Sequence, residues 1–350
     1  MNWLEFGAFP LWLNLTILVG AAALIWVAGT RLADYADVFS ERTHLSEAFL
    51  GLILLGVATS LPEVATTLTA SLIGNAQLVS ANLFGGVALQ IAVLAIIDLI
   101  AVRGALTYFS PHPVLLFQGA MLLLLLSLAM AGAAAGEPLA LFNVGLTPLL
   151  LLIGYVITVR WSFGGEYLPR WRATNEPRHH EQQINDNQDR VYQYSNRQLY
   201  SFALIACLLI LFGGWAVAES ANALSAQTGL GSTFIGVALV AGSTSLPELS
   251  TALGAVRRGN HEMAVSNILG TNCLEMAVFF LADLIYRRGP ILAETNRSTL
   301  FAAALGMLVT CIFVIGLLER RNRTVWGMGV DSLLVLIAYV AGLTGLYYLR

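Results

Sequence analysis

The residues best placed to do chemistry form one pattern that occurs twice, Gly56-Val-Ala-Thr-Ser-Leu-Pro-Glu63 and Ala241-Gly-Ser-Thr-Ser-Leu-Pro-Glu248. Each copy lies mid-way along an apolar run long enough to cross a bilayer. An ionisable side chain at that depth is costly and reads as functional. Proline donates no backbone hydrogen bond, so each Pro frees a carbonyl one turn earlier, nominally that of Ala58 and of Ser243. Thr59 and Ser60 precede Glu63 by four and three residues, which on a continuous helix puts both hydroxyls on the carboxylate's side. Thr244, Ser245 and Glu248 repeat that spacing. Carboxylates, hydroxyls and loose carbonyls are hard oxygen ligands, suited to calcium and similar cations. The chemistry expected is reversible cation binding. The chain therefore reads as no enzyme and needs no cofactor.

A second stripe follows each pattern on the next apolar run. It is Asn82, Gly86 and Gln90 in the first copy and Asn267, Thr271 and Glu275 in the second. A spacing of four keeps each stripe on one helix face, drifting by about 40° per step. Glu275 is thus a third intramembrane carboxylate. Asn82 and Asn267 suit cation ligation and interhelical hydrogen bonding equally well. Asp98 and Asp283 fall towards the ends of their runs, where a solvated or capping role is expected.

The elements that carry these residues are duplicated. A shift of 185 lays Phe49–Ile100 over Phe234–Ile285 without a gap, and 21 of the 52 positions are identical. The identities include Thr66/Thr251, Gly74/Gly259, Asn75/Asn260, Asn82/Asn267, Gly85/Gly270 and Asp98/Asp283. Chance pairing of apolar helices would not preserve Ser, Thr, Pro, Glu and Asn together, so the match is an internal repeat.

Composition places the repeats in a membrane. The 350 residues are 57% apolar and 11% charged, against about 25% charged in ordinary soluble domains. The net charge of −3 gives no reason to expect a nucleic-acid partner. Cys207, Cys273 and Cys311 lie in apolar runs without metal spacing, so neither a disulfide framework nor a zinc site is implied. Hydropathy gives ten spans, near 10–30, 45–73, 77–102, 112–135, 138–161, 198–221, 230–257, 261–286, 298–318 and 326–348. Each approaches the ~20 residues that a bilayer requires. The first lacks a basic leader and a cleavage site and reads as a retained span. The fold class expected is all-α integral membrane, with ten transmembrane helices in two five-helix repeats. Residues 1–161 form the first repeat, 162–197 a polar linker and 198–350 the second repeat.

Orientation follows from arginine, the only basic residue type besides histidine. The side reached after odd-numbered spans holds 14 arginines and the other side 4, so the first side is cytoplasmic. The linker is then cytoplasmic and both termini lie outside, in a multi-pass plasma (inner) membrane protein whose partners are the lipid bilayer and its cations. Five spans is an odd number, so the second repeat enters the membrane inverted, as in many secondary transporters with a midplane site.

At these residues the chain resembles the cation/calcium exchanger superfamily, which includes the sodium/calcium exchangers. The two Thr-Ser-Leu-Pro-Glu motifs carry the resemblance, together with Ser266-Asn-Ile-Leu-Gly-Thr-Asn272-Cys-Leu-Glu275. The resemblance implies that Glu63 and Glu248 share a calcium ion and, in the other half-cycle, sodium. It implies oxygens from Thr59, Ser60, Thr244, Ser245 and Thr271, and backbone carbonyls from Gly56 and Ala241. Gln90 and Glu275 match its Asn and Asp/Asn ligands, each one methylene longer. The first repeat departs from the family pattern, with Gly86 in place of Ser, Val87 in place of Asn and Ala81 in place of Gly. Restoring a hydroxyl by Gly86→Ser should then strengthen a response to sodium. The function expected is a secondary active antiporter exchanging calcium, or a similar divalent cation, against sodium by alternating access. The alternatives are proton-coupled exchange, a cation channel and a transport-inactive scaffold. The topology has a direct check. A cysteine introduced between residues 162 and 197 should be shielded from an impermeant thiol reagent in intact cells, and rapid labelling there would reverse the assignment.

Overall fold

The computed structural model describes residues 6–43, 59–102, 104–110, 112–141, 144–163, 194–257 and 259–349. Among them the protein is helical apart from two two-residue hairpins. The first half runs α1 (Leu11–Thr43), α2 (Leu61–Leu72), α3 (Ala76–Ala101), α4 (Pro113–Ala135), the hairpin β1 (Ala140–Leu141) and β2 (Val144–Gly145), then α5 (Leu146–Phe163). The second half runs α6 (Asn196–Thr228), α7 (Ser232–Thr244), α8 (Leu246–Arg257), α9 (His261–Ile285) and α10 (Arg297–Glu319). The hairpin β3 (Thr324–Val325) and β4 (Met328–Gly329) leads into α11 (Val330–Tyr348). Helix for helix the bounds recur at an offset of 184 or 185. Leu11–Thr43 becomes Asn196–Thr228, and Pro113–Ala135 becomes Arg297–Glu319.

Seven of these helices are long and apolar enough to cross a membrane; Leu146–Ser162 and Ser232–Thr244 are shorter apolar helices. The run expected as one span over 230–257 is broken. Its helix stops at Thr244, Ser245 turns at ψ 11°, and α8 restarts at Leu246. Residues 45–58 of the run expected over 45–73 lie outside the described residues; its described part restarts in the same way, with Ser60 at ψ 0° and α2 from Leu61. The cause is Pro62 and Pro247, each at the second position of its helix, where the missing N–H is one that no helix turn would use. Before the break, Gly236–Val240 is wound as a π-helix, which widens α7.

The identical Gly-Asn pairs reverse the chain after each broken helix. Gly74 and Gly259 have φ of 77° and 81°, a left-handed conformation that glycine adopts without a Cβ penalty. Asn75 and Asn260 then cap α3 and α9, their side chains accepting from Leu78 N at 3.0 Å and Met263 N at 3.1 Å. These caps fix where the second polar stripe starts.

α3 and α9 are central, with 78% and 67% of their apolar windows buried against 22% for α11. They are enclosed crosswise. α3 packs on α10 and α11 of the second half, and α9 packs on α4 and α5 of the first. Asp98 and Asp283 secure this exchange. Asp98 Oδ1 accepts from Leu106 N at 3.0 Å, and its Oδ2 from Gly329 N of the second half's hairpin at 2.9 Å. Asp283 Oδ1 accepts from Ile291 N at 2.8 Å, and its Oδ2 from Gly145 N of the first half's hairpin at 2.9 Å. The expected solvated or capping role does not describe them: both are buried, with exposures of 0% and 1%, and clasp loop and hairpin backbone rather than their own helix ends. α1 and α6 stand apart as a pair, lying along each other and meeting the rest chiefly through α2, α7 and α8.

The clasps generate a stability prediction. In Asp98→Asn or Asp283→Asn the amide nitrogen cannot accept, so one buried backbone N–H loses a charged acceptor, a cost of about 1.5–3 kcal/mol. The thermal midpoint of either variant in detergent should fall, and an unchanged midpoint in both would show that the clasps carry no load.

Candidate functional site

The broken helices and the central helices converge on three carboxylates. Glu63 and Glu248 sit in the first turn of α2 and α8, and Glu275 lies mid-way along α9. Their exposures are 1%, 0% and 0%. They are close enough for each to feel the charge of the others. Residues 59–101, 232–256 and 261–285, which form the elements around them, contain no arginine or lysine. Like charges gathered in a low dielectric without a cation repel strongly.

The hydroxyls are arranged differently from the sequence expectation. On a continuous helix each motif's Thr and Ser would serve their own Glu. The breaks at Ser60 and Ser245 instead set Ser245, Thr244 and Thr59 beside the other motif's Glu. Ser245 Oγ donates to Glu63 Oε1 at 3.3 Å. Thr244 lies beside Glu63 and Thr59 beside Glu248. Among the described residues neither oxygen of Glu248 completes a hydrogen bond, nor do Glu63 Oε2, Glu275 Oε2 and Ser60 Oγ. Four buried carboxylate oxygens without a donor, beside a hydroxyl without a partner, form a set of hard oxygens that a cation could satisfy.

The stripes on α3 and α9 meet face to face. Gln90 and Glu275 are equivalent under the 185 shift, and Gln90 Nε2 donates to Glu275 Oε1. The same nitrogen reaches Ser245 Oγ at 3.5 Å, and Thr271 Oγ1 donates to Gln90 Oε1 at 3.1 Å. Asn82 and Asn267 use their nitrogens structurally. Asn82 Nδ2 donates to Thr66 Oγ1 at 3.1 Å and Thr67 Oγ1 at 3.0 Å, and Asn267 Nδ2 to Thr251 Oγ1 at 3.4 Å. Their Oδ1 atoms are left buried without a donor. The hydrogen-bonding reading describes the nitrogens.

The carbonyl expectations fare less well. Gly56 and Ala58 lie outside the described residues. Ala241 O is engaged within its own helix, accepting from Ser245 N at 3.0 Å and Thr244 Oγ1 at 3.3 Å. Asn272 was not singled out as a ligand, yet it is fully buried with neither amide atom paired. Its place in the Gly-Thr-Asn segment three residues before Glu275 was the available signal.

Close approach at glycine brings these helices together. A Cβ on Gly85 would lie 2.7 Å from Val237 Cα, and one on Gly236 would lie 2.5 Å from Ala81 Cβ. Small residues at crossings are how helices in lipid pack tightly.

Residues 13–163 and 198–345 match the family described as sodium/calcium exchanger protein. The chain belongs to that family. The putative antiporter CaxA of Alkalimonas amylolytica is 25% identical over 341 residues, which span 93% of this chain and 95% of that protein. The H+/Ca2+ exchanger CAX superposes with a TM-score of 0.70 at 14% identity, covering 96% of this chain and 84% of that one. The sodium-calcium exchanger NCX_Mj superposes at 0.59 with 18% identity, covering 96% and 99%. At these identities the superpositions establish a shared fold. The protein is a multi-pass membrane antiporter of the cation/calcium exchanger type.

The geometry makes a binding prediction separable from transport. A ligand that binds only folded protein raises its stability by mass action. Calcium should therefore raise the thermal midpoint of the purified protein, and Glu63→Gln or Glu248→Gln should abolish that rise while leaving a folded, monodisperse protein. A full calcium-induced rise in both variants would remove these carboxylates from the site.

Proposed function

We propose that the protein exchanges calcium, or a similar divalent cation, against sodium across the plasma (inner) membrane. The observation that carries this reading is the cluster of three buried carboxylates, with no arginine or lysine in residues 59–101, 232–256 and 261–285 around them. Several sodium ions, or one divalent ion with a proton on the remaining carboxylate, can neutralise it, and a cation that binds must displace another. A site that changes its exposure only when neutralised couples the two fluxes. Alternating access then consists of α1 and α6 sliding against the frame formed by α3–α5 and α9–α11, with the broken helices between them. The separate packing of that pair supports this division. The recurrence of element bounds at 184–185 and the 14-to-4 arginine split support ten crossings in two inverted repeats, with both termini outside.

Proton coupling is the second reading. Gly86 and Val87 bring no oxygen to the site from the first repeat, while Glu275 brings a carboxylate that a proton can neutralise. Proteoliposomes loaded with calcium decide between the two. Under sodium coupling, external sodium drives calcium efflux at constant pH on both sides. Efflux that ignores sodium at fixed pH and follows an imposed pH gradient would overturn the first reading in favour of the second.

A further inference from the structure

Gly86 and Thr271 are equivalent under the 185 shift, as are Gln90 and Glu275. The structure therefore contains the same contact twice, once across each side of the repeat axis. On one side Thr271 Oγ1 donates to Gln90 Oε1 at 3.1 Å. On the other, Glu275 lies over Gly86. A Cβ on Gly86 would stand 2.5 Å from Glu275 Oε2 and 3.2 Å from both Cδ and Oε1. The carboxylate thus occupies the space that a first-repeat side chain would need. Gln90 holds one of its oxygens, and the other faces Gly86 with no hydrogen-bond partner.

We propose that Gly86 is a selectivity-determining residue: its missing side chain is the seat that lets Glu275 join Glu63 and Glu248 around one cation position, and so favours divalent over monovalent cations. This rests on the calcium–sodium reading above. Each carboxylate added to the site deepens the attraction for a divalent ion by about twice as much as for a monovalent one at the same distance, since Coulomb energy scales with charge. The hard oxygens that remain suit calcium-sized ions. The seat also explains why adding a hydroxyl at position 86 is not the simple gain expected from the sequence. Any side chain there displaces Glu275 before it can offer an oxygen.

The displaced atoms are the far end of a long side chain, so the fold should accept a Cβ at 86 while the carboxylate moves. Competition between radioactive calcium and sodium on the purified full-length protein reads the consequence. In Gly86→Ala, calcium affinity relative to sodium should fall by about tenfold, a coupling typical of groups in contact. In Gly86→Ala/Glu275→Asp the acid is one methylene shorter and fits beside the new Cβ. The preference should return to within about threefold of the unsubstituted protein, so that the pair is non-additive. An unchanged preference in Gly86→Ala, or strictly additive losses in the double variant, overturns the assignment. Should Gly86→Ala not fold, Glu275→Asp alone tests the seat from the other side. It withdraws from Gly86 and should weaken the divalent preference, and an unaltered preference again overturns the proposal. Absence of calcium binding by the unsubstituted protein overturns the calcium–sodium reading and this assignment with it.

Discussion

Three carboxylates buried together without a countercharge are the constraint on which the rest of the structure depends. Removing one such ion from water costs several kcal/mol even after relaxation, and here the costs add to mutual repulsion. Among the described residues five buried oxygens on Ser60, Glu63, Glu248 and Glu275 have no hydrogen-bond partner. On the proposed reading, their neutralisation falls to a cation that can depart. That arrangement is unfavourable for stability and necessary for transport, because a site satisfied by protein groups would have no reason to bind or release anything.

Such a site demands a frame that does not yield. The crosswise packing of α3 on α10 and α11, and of α9 on α4 and α5, supplies it. Each half is incomplete without the other, so the halves cannot separate as units. Asp98 and Asp283 close the exchange with backbone bonds reaching into the opposite hairpin. The broken helices are held to that frame by Asn82 and Asn267, whose nitrogens bond hydroxyls on α2 and α8. What remains outside that frame is the α1–α6 pair, which packs on the broken helices α2, α7 and α8.

The sequence carried the repeat, the membrane class and the identity of the three carboxylates, because each depends on residue type at a fixed depth in an apolar run. The Gly74/Gly259 turns and the Asn75/Asn260 caps were visible as identities, and the backbone explains them. The crossing of hydroxyls was not visible. Periodicity treats a helix as continuous, whereas Pro62 and Pro247 restart it at the motif and turn Ser245 towards Glu63. The burial of Asp98 and Asp283 was hidden for a related reason. One partner of each is a local backbone N–H and the other the N–H of a hairpin more than a hundred residues away, and backbone groups leave no mark in a sequence.

The pattern of divergence between the halves follows from the same geometry. Positions whose backbone shape or clasp is required, such as Gly74/Gly259 and Asp98/Asp283, are identical in both copies. Positions 86/271, 87/272 and 90/275 differ. Gln90 meets Glu275 directly across the repeat axis, and an identical residue at both positions would confront itself. Two glutamates there would add a fourth carboxylate to a site already short of countercharge, and two glutamines would remove the third. A Gln with a Glu instead pairs donor with acceptor and leaves one oxygen for the cation. Divergence at the axis is thus what lets a duplicated chain hold an odd number of charges in one place.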